Sequence, residues 1–243
     1  MDGEAMTVAD ETETIPTLVG AALEDRRTAR SSKDPCGVNG TPARDDLVWY
    51  VAYASNLSAG RLRCYLQGGR PPGARRTYEG GRDPSPPTRD VALALPGRLV
   101  FAGRSRVWGG AMAFYDASAE GKILARGYLI TFGQLSDLVS QEARQPVGHD
   151  LAPIQHAGRS WPTPSSVYEA LVHLGHRDSQ PMFCLTSQRP LEPAPPSAAY
   201  LRVILVGLRE AFGWTTPESA DYLLEARGVS PRWSRARISA LTP

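Results

Sequence analysis

The sequence contains very little lysine. Of its 27 basic residues only Lys33 and Lys122 are lysines, and the net charge is +2 over 243 residues. Dedicated nucleic-acid-binding proteins present broad basic stripes, and this modest excess of positive charge does not provide one. We therefore do not expect nucleic acid as a partner. The arginines are suited instead to binding small carboxylates through two parallel hydrogen bonds.

Cysteine is also scarce. Cys36, Cys64 and Cys184 are scattered along the chain, odd in number and without a C-x-x-C pair. This pattern predicts neither a disulfide framework nor a zinc site, and it favours a reducing compartment such as the cytoplasm. His173 and His176 have no third residue at the spacing of metal ligands. We expect neither a metal nor a cofactor.

Long hydrophobic runs are missing as well. The aliphatic run from Val203 to Val206 is far shorter than the roughly 20 residues that a membrane-spanning helix needs. Met1 to Asp10 is acidic and lacks the apolar core of a secretory leader. The hydrophobic content of 42% is ordinary for a globular protein. We predict a globular chain without a membrane partner.

Charge is distributed unevenly along the chain. Residues 1–46 carry ten acidic and five basic side chains, a net of −5, which leaves +7 on the remainder if the total is +2. This segment is rich in Thr, Asp, Glu, Gly and Pro, and its composition predicts a mostly disordered extension. A domain is predicted at 47–228, followed by a basic C-terminal tail at 229–243.

One segment can be interpreted chemically. The run Val48–Ala52 is β-branched and aromatic, as is typical of a buried strand, and Ser58 precedes a helical pattern. Residues Tyr53 to Leu57 must turn sharply at the start of that helix, where amide groups lack intrahelical partners. Such amides can converge on a carboxylate or a developing oxyanion. The small side chains of Ala54 and Ser55 would let a ligand approach the backbone.

The segment Tyr53-Ala54-Ser55-Asn56 resembles the Y-G-S-N signature of the gamma-glutamylcyclotransferase superfamily, which includes the AIG2-like proteins. Four further stretches match that family in the expected order: Trp108 to Phe114 is similar to its Gly-Gly strand, Arg126 to Thr131 to the strand that enters its catalytic helix, Leu135 to Glu142 to its L-x-x-L-x-x-Q-E helix, and Pro196 to Gly207 to its late tyrosine-bearing helix. The resemblance covers residues 47 to about 228.

The resemblance implies a fold, a reaction and a site. The fold would be α+β, with a small mixed, mostly antiparallel β-barrel flanked by helices. The reaction would cleave a gamma-glutamyl amide by internal lactam formation, releasing 5-oxoproline and an amine from a small substrate that carries a carboxylate and an amide. The catalytic acid would be Glu142. The resemblance assigns substrate contacts to Tyr53, Ala54, Ser55, Asn56, Leu57, Gly109, Gly110 and Tyr200.

Ala54 departs from the family pattern, which usually has glycine at this position. If the backbone there adopts a positive φ, a Cβ costs on the order of 1 kcal/mol. Two interpretations stay open. The position tolerates alanine without consequence, or the loop is rearranged and its amides point at a different anion, with a changed substrate.

The glutamate can also be interpreted from local pattern. Thr131 and Gln134 form a possible capping box that starts a helix, and Glu142 then falls on an apolar stripe with Leu135, Leu138 and Val139. A carboxylate on that face loses solvation, which raises its pKa towards the range that a general acid/base needs. The alternative is a helix-end glutamate that reaches water or pairs with an arginine such as Arg144.

Ser55 lies in a strand-to-helix turn, as the nucleophile of an α/β-hydrolase does. Ser55 lacks the flanking glycines of the G-x-S-x-G nucleophile motif, so we expect its hydroxyl to cap a helix or bind substrate. Two alternatives to a cyclotransferase stay open: a diverged amide-forming or amide-cleaving tailoring enzyme of specialised metabolism on the same scaffold, and a small-molecule binding module without turnover.

Hydrophobic periodicity, together with the positions of glycine, proline and helix-capping residues, predicts the secondary structure. Strands are predicted at Gly109–Tyr115 and Val167–Leu171 among others. Two late helices are predicted at Ser197–Phe212 and Pro217–Arg227, the second capped by Thr215 with Glu218 and followed by Gly228.

Overall fold

The computed structural model describes residues 13–14, 42–151, 160–163, 165, 167–190 and 192–241. Its strands are β1 (Glu13–Thr14), β2 (Leu47–Ala52), β3 (Arg89–Pro96), β4 (Arg98–Ala102), β5 (Met112–Asp116), β6 (Lys122–Thr131), β7 (Ser160–Pro162), β8 (Ala170–Arg177) and β9 (Gln180–Thr186). Its helices are α1 (Ala59–Gln67), α2 (Phe132–Glu142), α3 (Ala198–Phe212), α4 (Thr216–Leu224) and α5 (Arg235–Ser239), and a short 3-10 helix spans Ala54–Leu57. The predicted α+β class is confirmed. Cys36 and most of the predicted N-terminal extension lie outside the described residues.

The described strands form a seven-stranded sheet in the order β1-β3-β6-β2-β9-β8-β7 and a two-stranded sheet of β4 and β5. In this part of the chain only the β1–β3 and β2–β9 pairs are parallel, and the other pairs are antiparallel. The mostly antiparallel pairing implied by the resemblance is therefore confirmed.

The β4–β5 hairpin bridges two parts of the large sheet. Chain connectivity joins it to β3 through Gly97, whose φ of +120° favours glycine. At the other side, the Thr186 hydroxyl at the end of β9 accepts from the Tyr115 amide at 3.0 Å and donates to the Tyr115 carbonyl at 2.9 Å. Among the described strands no main-chain ladder joins the two sheets, and the Tyr115 hydroxyl adds a further side-chain bond to the Pro96 carbonyl of β3 at 2.8 Å.

Strand β2 lies in the middle of the large sheet and is buried on both faces. Trp49 and Val51 pack into one core that includes residues of α3, whereas Val48 and Tyr50 pack into a second core that includes residues of α1 and α2. Alternate side chains of a strand point to opposite faces, which explains why the run is apolar throughout instead of alternating. The loop that follows β2 is thus anchored between two cores.

Helix α2 is fixed at its start by a capping box. The Thr131 hydroxyl accepts from the Gln134 amide at 3.1 Å, and the Gln134 side chain accepts from the Thr131 amide at 3.0 Å. This confirms the capping box predicted from the sequence. The apolar stripe is fully buried, since Leu135, Leu138 and Val139 are each 0% exposed. The helix therefore holds its last residue, Glu142, in a defined position.

Helix α3 packs directly on the loop after β2. The contact is made at Gly207, where an added Cβ would lie 2.4 Å from the Leu57 Cβ and 2.6 Å from the Ser58 nitrogen. Such distances are well inside van der Waals contact, so only glycine permits this approach. The close packing ties the position of the 3-10 helix to that of α3.

Residues 229–241, the described part of the predicted basic tail at 229–243, are packed against the domain. They include α5, where Ile238 is 0% exposed. The Trp233 indole donates to the Pro196 carbonyl at 2.9 Å. These apolar anchors, which lie between the basic residues, hold the segment down.

Three predicted boundaries differ from the structure, and tertiary contacts explain two of the differences. Strand β5 begins at Met112 instead of Gly109 because Gly110 lies against the main chain, where an added Cβ would be 2.3 Å from the Ser197 nitrogen. Helix α4 keeps its predicted Thr215 cap but ends at Leu224, and the carbonyl of Arg227 accepts from Phe101 at 2.8 Å. Strand β8 covers Ala170–Arg177, later than predicted.

Within the described ranges, none of the helices has the length and apolar character needed to cross a bilayer. The cytoplasmic location stays a prediction.

Candidate active site

A cavity of about 370 Å³ opens beside the end of β2. Its wall includes the segment from Tyr53 to Asn56, the loop from Arg104 to Trp108, Tyr200 of α3 and Glu142 of α2. The carboxylate and the loop that the sequence singled out therefore line the same cavity.

The Glu142 side chain is largely withdrawn from water, with 19% of its surface exposed. Burial raises the pKa of this carboxyl above its usual value, and the positive charges of Arg61 and Arg144 act in the opposite direction. The local alternative, a pair with Arg144, is replaced by a closer contact: the Arg61 Nη2 lies 3.7 Å from the Glu142 Oε1. The Glu142 carboxylate therefore reaches the cavity while it is poorly solvated.

The charges around the cavity are almost all positive. Five arginines belong to the described wall, and Glu142 is the one carboxylate among the lining residues that the structure describes. These arginines are Arg61, Arg76, Arg104, Arg106 and Arg144. An excess of fixed positive charge in a concave site attracts anionic ligands. The wall is therefore suited to a substrate with carboxylate groups.

Ala54 adopts a positive φ, the conformation for which the family usually has glycine. Its φ is +55°, in the left-handed region. The 3-10 helix that begins there offers no acceptor for the amides of Ala54 and Ser55, and no side chain caps its first turn. The Cβ of Ala54 therefore adds conformational strain at the first residue of the segment that is predicted to bind the anion.

Replacing Ala54 by glycine is expected to stabilise the fold by up to about 1 kcal/mol, because the Cβ no longer opposes a positive φ. Urea unfolding would measure the difference. Ala59→Gly in the first turn of α1 is the matched control, and it should destabilise because glycine is the poorer helix former. Destabilisation by Ala54→Gly would show that the Cβ makes a packing contact that outweighs its strain.

Tyr200 is buried beneath the loop. Its ring stacks on Trp108 at a centroid distance of 5.3 Å, and its hydroxyl accepts from the Ala113 amide at 3.4 Å. Burial raises the pKa of Tyr200 to about 12, with a hydrogen bond to Ser55 opposing the shift. The phenol therefore stays protonated at neutral pH. Ser55, predicted to cap or bind, makes its side-chain contact to this tyrosine.

The other residues of the predicted site take different places. The Tyr53 hydroxyl donates to the Leu185 carbonyl at 2.8 Å, and the Asn56 amide donates to the Tyr50 hydroxyl at 2.8 Å, both in the cavity wall. Leu57 lies behind the wall, where its carbonyl accepts from Tyr128 at 2.9 Å.

The two glycines of the predicted site, Gly109 and Gly110, do not belong to the cavity wall. Gly109 has a φ of +82°, and Gly110 is packed against residues that precede α3. Both serve the loop geometry. Trp108, which precedes them, stacks on Tyr200.

Sequence reasoning missed several wall residues. Arg104, Arg106 and Tyr168 line the cavity although nothing local marks them. Arg61 and Arg76 also line the cavity, at positions that follow from packing alone. Among the residues described, no group of three or more His, Cys, Asp or Glu side chains is arranged to hold a metal ion.

No protein-family model matches the chain. A curated protein from Arabidopsis thaliana, named histone deacetylase 5, is 31% identical over 204 residues, which is 74% of this chain and 30% of that protein. The chain therefore spans less than a third of the length of the curated relative that it matches. The name describes that longer protein.

Two solved structures align over most of the chain. One is named gamma-glutamyl cyclotransferase, with a TM-score of 0.46 and 16% identity over 81% of this chain and 98% of its own. The other is an uncharacterised protein from Homo sapiens, with a TM-score of 0.45 and 17% identity over 80% of this chain and 98% of its own.

Proposed function

We propose that this chain is a gamma-glutamylcyclotransferase-like enzyme that cleaves a gamma-glutamyl amide by lactam formation. The observation that supports this most directly is the shared cavity, where a poorly solvated carboxylate, Glu142, faces a wall otherwise charged by arginines. A carboxylate in such a place accepts and returns protons near neutral pH. The proposal also rests on the sequence motifs at Tyr53–Asn56 and Leu135–Glu142.

The reaction is an internal acyl transfer. The substrate's free α-amine attacks the carbonyl carbon of its own side-chain amide, so one C–N bond forms and another breaks. The α-amine binds as an ammonium ion, which loses one proton before it attacks and a second as the lactam closes. Glu142 relays both protons to the departing nitrogen, so that the amine leaves as an ammonium ion. The products are 5-oxoproline and an amine, and water is not consumed.

The loop after β2 stabilises the negative charge that develops on the substrate during the reaction. The amides of Ala54 and Ser55 have no intrahelical acceptor and can donate to the carbonyl oxygen as it becomes negative. Holding the substrate in the ring-closing conformer lowers the barrier by several kcal/mol, on the order of what intramolecular reactions gain from proximity. A single acid/base residue is then sufficient for the proton transfers.

The arginines define the substrate class further. An α-carboxylate needs one cationic partner, whereas Arg76, Arg104, Arg106 and Arg144 add four positive charges to the wall beside Arg61. Guanidinium groups bind carboxylates with paired hydrogen bonds. We therefore favour a substrate whose released amine also carries a carboxylate, such as a gamma-glutamyl amino acid.

The first experiment is a substrate panel followed by mass spectrometry for 5-oxoproline. Gamma-glutamyl amino acids are expected to turn over about tenfold or more faster than gamma-glutamyl derivatives of neutral amines, since one charge-assisted hydrogen bond is worth roughly 1.5–3 kcal/mol. The double substitution Arg104→Gln and Arg106→Gln should reduce that preference. Arg202→Gln, an exposed residue of α3, is the matched control.

The panel also separates the alternatives. Products from other amides, with gamma-glutamyl compounds untouched, would favour a diverged tailoring enzyme. Binding of panel compounds without product from any of them would favour a binding module and contradict the proposed reaction.

A further inference from the structure

Arg61 is a buried cation with an unusual set of contacts. Its side chain is 3% exposed, and its Nη2 donates to the hydroxyls of both Tyr65 and Tyr78, the latter at 2.8 Å. The guanidinium carbon lies 4.0 Å from the centre of the Tyr65 ring and 4.3 Å from that of Tyr78. The two rings also pack edge to face on each other, with centroids 4.8 Å apart, so the guanidinium lies against this ring pair and is fixed in position by it.

This cation is incompletely paired. The Nε and Nη1 atoms are buried and have no hydrogen-bond partner in the structure. An arginine cannot lose its proton in a protein, so the charge persists and needs a compensating negative charge. Among the described residues, Glu142 supplies the carboxylate within ion-pair distance, with its Oε1 3.7 Å from the Arg61 Nη2. That separation is too long for a hydrogen bond, so the interaction is between charges.

Apart from Arg61, the groups around Glu142 are an exposed arginine, three tyrosines and an arginine that is hydrogen-bonded elsewhere. Arg144 follows α2 and is exposed, and its charge also favours the ionised carboxylate. Tyr50 of β2, Tyr168 before β8 and Tyr200 of α3 interact with Glu142, but burial raises the pKa of each phenol, so all three are neutral near pH 7. The fixed charge that faces the carboxylate from inside the protein is Arg61. Arg76 is occupied with the Gln141 carbonyl, to which it donates at 2.7 Å.

We propose that Arg61 is a positioning residue that keeps the Glu142 carboxylate ionised, so that it can accept the proton of the substrate's ammonium group. The tyrosine rings hold the guanidinium at ion-pair distance without a direct hydrogen bond. A carboxylate bound directly by arginine would be too weak a base, and one with no cation nearby would be protonated by burial. At 3.7 Å, Arg61 stabilises the charged carboxylate but makes no hydrogen bond that would weaken it as a base. This inference rests on the proposed function, in which Glu142 is the acid/base.

The test compares Arg61→Met with Arg63→Met, since Arg63 is an exposed residue of the same helix. The pH dependence of kcat/KM has an acidic limb that reports the ionisation of the base in the free enzyme. Removing the cation raises the pKa of Glu142, so the Arg61→Met enzyme needs a higher pH to reach the ionised form. We expect its acidic limb to move to higher pH and the limb of Arg63→Met to stay at the wild-type position. A uniform loss of rate with an unmoved limb would overturn the proposal.

A second measurement does not depend on turnover. The side-chain carboxyl carbon of Glu142 can be followed by NMR titration of protein labelled with carbon-13 glutamate, and assigned by its loss in Glu142→Gln. The titration midpoint should rise in Arg61→Met and return close to the wild-type value in Arg61→Lys, which restores the charge. If Arg61→Met does not fold, Arg61→Lys and Arg61→Gln provide the same comparison. An unchanged midpoint contradicts the role of Arg61 even if the proposed reaction is wrong, whereas a lack of 5-oxoproline contradicts the reaction alone.

Discussion

Replacing Glu142 by glutamine is expected to lower kcat/KM for a gamma-glutamyl substrate by about 100- to 10,000-fold, the usual contribution of a general acid/base. Glutamine has a similar shape and keeps the contacts in the cavity wall, but it can neither accept the ammonium proton nor return one to the leaving nitrogen. Substrate binding should be less affected, because the arginines of the wall remain. Initial rates of 5-oxoproline release, measured across pH, test this expectation.

The stability of the Glu142→Gln variant must also be measured, because Arg61 loses its charge partner. Removing the carboxylate leaves the buried guanidinium without a compensating charge, and we expect the variant to lose up to about 3 kcal/mol of stability. Glu142→Asp is the matched variant, since it keeps the negative charge but withdraws it from the cavity by one methylene group. A folded aspartate variant with little activity would locate the defect in proton transfer. Full activity in the folded glutamine variant would remove Glu142 from the mechanism.

Replacing Gly207 by alanine is expected to disturb the loop without touching the cavity. The added Cβ would lie 2.4 Å from the Leu57 Cβ and 2.7 Å from the Leu57 carbonyl carbon, so the main chain has to move. Forcing a methyl group into a filled contact costs roughly 1–3 kcal/mol. The amides of Ala54 and Ser55 move with the loop, and a displacement of about 1 Å can reduce the rate about 100-fold.

Thermal unfolding and kcat together measure this effect. Gly60→Ala in α1 is the matched control, because its added Cβ would meet only the Ser58 hydroxyl oxygen at an ordinary 3.7 Å. That variant should gain about 0.5–1 kcal/mol, since alanine is the better helix former. A fully active and fully stable Gly207→Ala enzyme would show that α3 and the loop can separate at little cost.

The local features of the fold were predictable because short-range contacts decide them. The strand before Tyr53 and the capping boxes at Thr131 and Thr215 depend on residues within three or four positions of each other, and the structure confirms all three. The start of β5 and the end of α4 were misplaced. At both, contacts with distant segments, around Ser197 and Phe101, override the local pattern.

The features of the candidate site likewise fall into those that local sequence predicts and those that depend on distant contacts. Local sequence was enough to predict that a strand leads into a tight turn with free amides and that Glu142 ends a well-capped apolar helix. Long-range packing brings these two features to one cavity, holds Arg61 3.7 Å from the carboxylate, and places Arg104 and Arg106 of the β4–β5 hairpin in the cavity wall. Those distances are set by the packing of elements far apart in the chain, and the residues that create them carry no local signal of their charge partners.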